Sequence, residues 1–155
     1  MIRVLLVDDD PTCRDGLRQL LSLAGDLEVV GEASNTEDAY SLGCKIRPDV
    51  VVIDADLPQA SCIETMVKLA AEQGRAGCLP AFVCLAVYPD QHDAALQAGA
   101  VRFLRKDGSR RELVEAVRAA GVARRRTANG QVPNPPPPPT LSPVEPPASQ
   151  GFSMP

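Results

Sequence analysis

The chain has 155 residues, enough for a single domain, and combines 45% hydrophobic with 23% charged residues. Its formal net charge of −4 argues against nonspecific nucleic-acid binding, and no apolar run reaches the roughly 20 residues that a membrane span needs. The first residues, Met1–Val4, lack the charged and apolar regions of a signal peptide, so we expect a cytoplasmic protein.

Five apolar runs, rich in valine, isoleucine and leucine, recur along residues 1–125. They are Ile2–Val7, Leu27–Val30, Val50–Ile53, Ala81–Val87 and Val101–Leu104. Runs of this kind without alternating polar residues are typical of strands that are buried on both faces. We therefore predict five strands of a parallel sheet.

Stretches with helical periodicity lie after these runs. The first and third repeat apolar residues at i, i+3, i+4 and i+7, namely Leu17, Leu20, Leu21 and Ala24, and Ile63, Met66, Val67 and Ala70. The others lie near 36–46 after Asn35, near 91–98 before Gly99, and after the capping-box residues Ser109 and Glu112. Five β–α units in succession predict a parallel sheet with helices on both faces.

Charged side chains follow three of the five predicted strands. Asp8, Asp9 and Asp10 follow the first, Asp54 and Asp56 the third, and Lys106 the fifth. The ligand site of such a sheet lies beyond the carboxyl ends of its strands, and clustered carboxylates repel one another unless a cation neutralises them. Hard oxygen ligands favour Mg²⁺, and a carboxylate beside Mg²⁺ and a lysine can attack phosphorus as a nucleophile.

Each of these residues also has a purely structural interpretation. Asp10 before Pro11 could start a helix, Asp56 could be an ordinary loop acid, and Lys106 could be a surface lysine. Their joint placement at one edge of the predicted sheet favours a site. The first strand is not followed by a glycine-rich loop, which weighs against nucleotide binding.

Three segments carry a specific resemblance to a known family. Val4–Pro11, Pro48–Pro58 and Ala98–Asp107 resemble the opening acidic motif, the phosphoacceptor segment and the final strand of response-regulator receiver domains in two-component signalling. The Lys-Asp pair that ends the last segment is similar to the subgroup that usually carries a helix-turn-helix output domain. The resemblance covers residues 2–123 and implies a receiver domain over 1–125. Its fold would be flavodoxin-like and doubly wound, (βα)5, with a five-stranded parallel sheet of order 2-1-3-4-5.

The resemblance implies a role for each residue of the predicted site. Asp54 would accept a phosphoryl group from the phosphohistidine of a sensor histidine kinase or of a phosphotransfer protein. Asp8, Asp9, Asp54 and the backbone carbonyl of Asp56 would hold Mg²⁺ or Mn²⁺, and Lys106 would contact the phosphoryl group. Such a protein is a phosphorelay signalling domain and not an enzyme, apart from its own phosphorylation and dephosphorylation.

The resemblance also assigns a switch residue and an output surface. Phe103 falls at the family's switch aromatic, and Asp56 and Tyr88 fall where residues tune the lifetime of the aspartyl phosphate. An output partner would contact the face of helix four, strand five and helix five, which includes the basic residues Arg110, Arg111 and Arg118. Whether the chain also forms a homodimer stays open.

Two segments depart from the family's pattern. Ala86 stands where the family has threonine or serine, so no hydroxyl is present to contact a phosphoryl oxygen, and Val87 follows where a small residue is usual. One charge-assisted hydrogen bond contributes about 1.5–3 kcal/mol, so we predict weakened coupling rather than lost phosphate acceptance. The segment Gln59–Cys62 lacks the usual glycine before the third helix and has Cys62 in its place.

The end of the chain has a different composition. Ten of the 15 prolines lie from Pro133 onward, and we predict that 126–155 is a disordered Pro-rich tail with polyproline II character. It stands where the subgroup's output domain would follow, so we expect this chain to lack that domain. The basic run Arg124–Arg126 indicates a solvated helix end more readily than a nucleic-acid patch, and we expect no DNA binding.

The cysteines form no CxxC pair and are odd in number. We expect free thiols that mostly fill the core. They are Cys13, Cys44, Cys62, Cys78 and Cys84.

Three other functions compete with the favoured one. A receiver-like adaptor that works without phosphorylation is favoured by Ala86, and a truncated transcriptional regulator fits the subgroup. The third is a phosphohydrolase, because Asp54 and Asp56 resemble the Asp-x-Asp motif of the haloacid dehalogenase group. That motif usually opens its fold, whereas two β–α units precede it here.

Overall fold

The computed structural model describes residues 1–57, 62–75, 79–88, 90 and 92–128. Within these residues five strands alternate with five helices. The strands are β1 (Ile2–Val7), β2 (Leu27–Ala33), β3 (Val50–Asp54), β4 (Ala81–Ala86) and β5 (Ala100–Arg105). The helices are α1 (Pro11–Ser22), α2 (Thr36–Ile46), α3 (Cys62–Arg75), α4 (His92–Gln97) and α5 (Arg110–Ala128).

The strands form one sheet with the order β2-β1-β3-β4-β5, and every neighbouring pair is parallel. This arrangement confirms the predicted flavodoxin-like topology. The strand order reverses between β1 and β3, so the carboxyl ends of these two strands flank the crevice in which open α/β sheets bind their ligands.

The central strands are buried on both faces, as their apolar composition predicts. Along β1, Val4 and Leu6 pack with residues of α1 and α5, whereas Leu5 and Val7 pack with residues of α2, α3 and α4. All four side chains are at most 2% exposed. Aliphatic residues therefore supply the core on both sides of the sheet.

Polar side chains fix the starts of three helices. Asp10 accepts a hydrogen bond from the backbone N–H of Thr12 at 2.9 Å and caps α1, which is the structural role considered for this residue. Asn35 and Ser109 cap α2 and α5 by accepting the N–H three residues further on. Gly99, with φ of 113°, follows α4 and supplies the left-handed turn before β5.

β2 is longer than its apolar run indicated. It was predicted to end at Val30 but continues to Ala33, because Leu5–Val7 of β1 pair with Gly31–Ala33 after a shift in register. The exposed Glu32 interrupts the apolar run, so the run alone could not show where the pairing stops.

A charge cluster at the amino edge of the sheet ties α5 to β1. Asp49 is 6% exposed and accepts hydrogen bonds from the Arg3 N–H at 2.9 Å, from Arg124 Nη1 at 2.8 Å and from Arg125 Nη2 at 3.0 Å. The interpretation of Arg124–Arg126 as a solvated helix end is therefore wrong for Arg124, whose side chain is only 16% exposed.

α5 continues beyond the predicted boundary of the domain. It ends at Ala128, whereas the tail was predicted to begin at residue 126, and residues 129–155 lie outside the described part of the chain. Gly121 lets this helix approach β1 closely, since a Cβ at that position would lie 2.5 Å from Cγ2 of Ile2. No helix among the described residues has the length and apolar character to cross a membrane.

Candidate functional site

Three charged side chains meet at the carboxyl edge of the sheet. Asp8 directly follows β1, Asp54 is the last residue of β3, and Lys106 directly follows β5. Lys106 Nζ lies 2.8 Å from Asp54 Oδ2 and 3.2 Å from Asp8 Oδ2. The structure thus brings together residues from the first, third and fifth strands that were predicted to converge.

The local backbone aims both carboxylates at the lysine. Asp8 Oδ1 accepts the N–H of Asp10 at 2.9 Å, and Asp54 Oδ1 accepts the N–H of Asp56 at 2.8 Å. These bonds hold one oxygen of each carboxylate, and the second oxygen of each then faces Lys106. Both aspartates are buried, at 1% and 3% exposure.

The acidic residues fit a hard divalent cation. Asp8, Asp9 and Asp54 each offer a carboxylate oxygen, and these oxygens lie within 4.8 Å of one another. Asp8 Oδ2 is buried, and within the described residues it has ion-pair contact with Lys106 but no hydrogen-bond partner. An all-oxygen donor set with an unsatisfied buried atom, next to the exposed Asp9, suits Mg²⁺, which retains several of its waters.

Burial and charge set the protonation of the site. Burial raises the pKa of Asp54 above its ordinary value, although the hydrogen bond and charge of Lys106 oppose this shift. Burial alone would lower the pKa of Lys106, but Asp54 and Asp8 outweigh it and raise that pKa. Lys106 is therefore a permanent cation at neutral pH, ready to pair with an incoming anionic group.

A match to a known family accompanies this geometry. The family model for the response regulator receiver domain matches residues 4–118. The chain belongs to the response-regulator receiver family. Receiver domains are signalling modules of two-component systems.

Curated relatives come from several bacteria. The nitrate/nitrite response regulator protein NarL of Escherichia coli is 35% identical over 119 residues, covering 77% of this chain and 54% of that protein. The transcriptional regulatory protein LiaR of Bacillus subtilis is 33% identical over 122 residues, with coverages of 77% and 56%. The chain thus spans about half the length of these relatives.

Solved structures agree with the fold. The signal receiver domain of the putative response regulator NarL from Mycobacterium tuberculosis is 32% identical, with a TM-score of 0.67 over 78% of this chain and 96% of that one. A LuxR-family two-component response regulator from Aurantimonas is 30% identical, with a TM-score of 0.71 over 77% and 84%. A CheY-like receiver from Methanospirillum hungatei has a TM-score of 0.71 at 22% identity over 82% and 98%, which supports the fold alone.

The residues that depart from the receiver pattern lie beside the site. Ala86 is buried at the end of β4, and its carbonyl accepts the backbone N–H of Lys106 at 2.8 Å. β4 ends there, one residue before its predicted end, and the N–H of Val87 donates to Asp56 Oδ2 at 2.8 Å. Tyr88 is 66% exposed. The methyl group of Ala86 thus lies at the end of β4, where the resemblance predicts a threonine or serine hydroxyl.

Phe103 lies half-buried in β5 against the core cluster that contains Ala86 and Cys84. The ring of His92, at the start of α4, meets the ring of Phe103 edge-on, with 5.2 Å between ring centroids. The predicted switch aromatic therefore connects the core beneath the site with the surface of α4.

The predicted partner face is basic only in part. Arg110 and Arg111 are exposed at the start of α5. The apolar side chain of Val101, in β5, is 50% exposed. The placement of Arg118 on this face is wrong. Its guanidinium pairs with Asp26 through contacts of 2.6 and 3.0 Å. Asp26 directly precedes β2, which forms the edge of the sheet opposite to β5.

Sequence reasoning missed two neighbours of Asp8. Arg14 Nη1 donates to the backbone carbonyl of Asp8 at 2.7 Å, and the Cys13 thiol lies against its carboxylate. Burial and the contact with Asp8 raise the pKa of this thiol to about 11. Both residues lie in the first turn of α1, so the cap at Asp10 was the available signal that this turn folds back toward the acids.

No disulfide joins the cysteines that the structure describes, in agreement with the prediction: Cys13, Cys44, Cys62 and Cys84. Cys62 is the first residue of α3 and is fully buried, so it serves as core at the position where the usual glycine is missing. Cys78 and the loop residues 58–61 lie outside the described residues.

Proposed function

We propose that the chain accepts a phosphoryl group on Asp54 from a sensor histidine kinase or phosphotransfer protein in a Mg²⁺-dependent reaction. The observation that carries the proposal is the position of Lys106 Nζ, which lies within 3.2 Å of both Asp54 and Asp8. A partly buried cation at this place can stabilise the charge on transferred phosphoryl oxygens.

The transfer would use Oδ2 of Asp54, the oxygen that faces Lys106. A carboxylate oxygen of Asp54 attacks phosphorus, a new O–P bond forms, and the N–P bond of the donor phosphohistidine breaks. The backbone N–H of Asp56 holds the other oxygen at 2.8 Å, which orients the nucleophile. Asp8, Asp9, Asp54 and the Asp56 carbonyl would hold Mg²⁺, which when bound neutralises charge on the phosphoryl oxygens.

Labelling with acetyl phosphate, followed by intact mass spectrometry, tests this proposal. We expect wild-type protein to gain one phosphoryl group in Mg²⁺ and none in EDTA, and Asp54→Ala to remain unlabelled. Lys106→Ala should label about 100-fold more slowly, since it removes one preorganised cation. Asp10→Asn is the matched control, because asparagine also caps helices, and it should label like wild type.

A phosphorylation-independent adaptor is the second candidate, and Ala86 favours it because its buried methyl group cannot bond a phosphoryl oxygen. Absence of label on Asp54 would exclude the first proposal and favour this one. Normal labelling without a conformational response, restored by Ala86→Thr, would show that acceptance is intact and coupling is weak. Family membership favours either candidate over the phosphohydrolase.

The output surface would be the exposed part of α4, β5 and the start of α5, including Arg110 and Arg111. We propose a protein partner there and not DNA, because Asp49 holds the Arg124 and Arg125 side chains of the basic run. A cytoplasmic location stays a prediction, and the question of a homodimer stays open.

A further inference from the structure

The side chain of Asp56 joins two turns of the site. Its backbone N–H donates to Asp54 Oδ1 at 2.8 Å, so the residue sits directly against the phosphoacceptor. Its carboxylate points to the next strand and accepts the N–H of Val87 at 2.8 Å, just beyond the end of β4. Asp56 is exposed, so this bond forms at the mouth of the site and not in the core.

The bond links the two turns without any contribution from the side chain of Ala86. A hydroxyl at the end of β4 could bond a phosphoryl oxygen and draw the following turn inward, but alanine offers no such group. The carboxylate of Asp56 already holds that turn, through a charge-assisted bond to the backbone of Val87. The turn after β4 is therefore held against the phosphoacceptor turn before any phosphate is present.

We propose that Asp56 is a positioning residue of this switch, whose carboxylate holds the turn after β4 in place until a phosphoryl group on Asp54 displaces it. The inference rests on the proposed phosphorylation of Asp54. Phosphorylation replaces the single charge of that carboxylate by the roughly two charges of a phosphoryl group. The Asp56 backbone N–H bonds the Asp54 carboxylate, and the Asp56 side chain lies at the mouth of the same site. The added negative charge therefore develops in the neighbourhood of the Asp56 carboxylate, and like charges repel.

The consequence is a switch in which phosphorylation breaks a contact between the two turns, whereas a switch that depends on a hydroxyl forms one. Phosphate releases the side-chain bond between Asp56 and Val87, instead of creating the first link between the two turns. The N–H of Val87 then becomes available to a phosphoryl oxygen.

Solvent-exchange NMR on the full ¹⁵N-labelled chain tests the positioning role without phosphate. We expect the Val87 amide to exchange about three- to tenfold faster in Asp56→Ala than in wild type, since an exposed charge-assisted bond is lost. Asp56→Asn keeps an acceptor without the charge and should give an intermediate rate. The amide of Lys106, bonded to the Ala86 carbonyl, is the internal control and should not change.

Equal Val87 rates in wild type and Asp56→Ala would overturn the positioning role. Equal rates in Asp56→Asn and Asp56→Ala would also overturn it, because charge alone would then explain the effect. The displacement is tested on the same two proteins after labelling with acetyl phosphate and Mg²⁺, with the label verified by mass spectrometry.

At full labelling we expect the difference in Val87 exchange between wild type and Asp56→Ala to disappear. A difference that persists would overturn the displacement and leave the proposed function intact. Absence of label on wild type would overturn the displacement together with the proposed function, whereas the comparison of unphosphorylated proteins would still decide the positioning role.

Discussion

Removal of the Asp49 carboxylate should destabilise the domain far from its functional site. Asp49→Ala leaves the Arg3 N–H without its acceptor and leaves the largely buried guanidinium of Arg124 without its counter-charge. Arg125 adds little to the loss, because its side chain is 44% exposed and water screens its contact. The substitution therefore removes two hydrogen bonds that contribute substantially to stability, one from the Arg3 N–H and one from Arg124.

The expected magnitude follows from these two bonds. Each hydrogen bond to a charged group contributes about 1.5–3 kcal/mol, and removal of one partner from a buried ion pair costs about 3–5 kcal/mol. We expect Asp49→Ala to lower the free energy of unfolding by about 3–5 kcal/mol. Asp49→Asn keeps an acceptor for Arg3 and should cost about 1–2 kcal/mol, since only the charge is lost.

Urea unfolding followed by far-ultraviolet circular dichroism measures these free energies. Arg125→Ala is the matched control and should change the stability by less than about 1 kcal/mol. A loss within that range for Asp49→Ala, or a loss in Arg125→Ala as large as that in Asp49→Ala, would contradict this role of Asp49.

Two further predictions concern packing and pH. Gly121→Ala should cost about 1–3 kcal/mol because its methyl group would overlap Ile2 Cγ2 at 2.5 Å, and Ile2→Ala in the same protein should recover part of that loss in urea unfolding. Burial raises the pKa of Asp54 on folding, so its contribution to stability is fully present below its ordinary pKa of 3.8 and is lost as the pH rises through the folded value. In metal-free buffer the stability of Asp54→Asn relative to wild type should therefore increase as the pH rises from 3, and a constant difference up to pH 7 would contradict this.

Sequence patterns predicted a parallel sheet and the meeting of Asp8, Asp54 and Lys106, because parallel strands place all their carboxyl ends at one edge. The strand order was implied by the resemblance to receiver domains. The pairing of Arg118 with Asp26 was out of reach, since the sequence does not show which way a long side chain turns on its helix. Contacts of this kind join residues 92 positions apart.

Backbone groups were equally out of reach. The N–H of Val87 carries no sequence signal, because every residue except proline has a backbone N–H. Yet this N–H is the donor to the carboxylate of Asp56. The carboxylate of Asp56 was considered as a loop acid or a lifetime-tuning residue, and its bond across to the next turn became visible only in three dimensions. The lack of a hydroxyl at Ala86, by contrast, follows from the residue type alone.

The bond between Arg124 and Asp49 anchors α5 to the sheet near one end of the helix. If the helix moves as a rigid body, this anchored point is the pivot of its rotation. The helix has 19 residues and is about 28 Å long, and its pivot at Arg124 lies near its carboxyl end. Its opposite end begins four residues after Lys106, at the functional edge. A displacement of Lys106 would thus tilt α5 as a rigid body. The displacement of its residues would grow with distance from the pivot and be largest around Arg110 and Arg111.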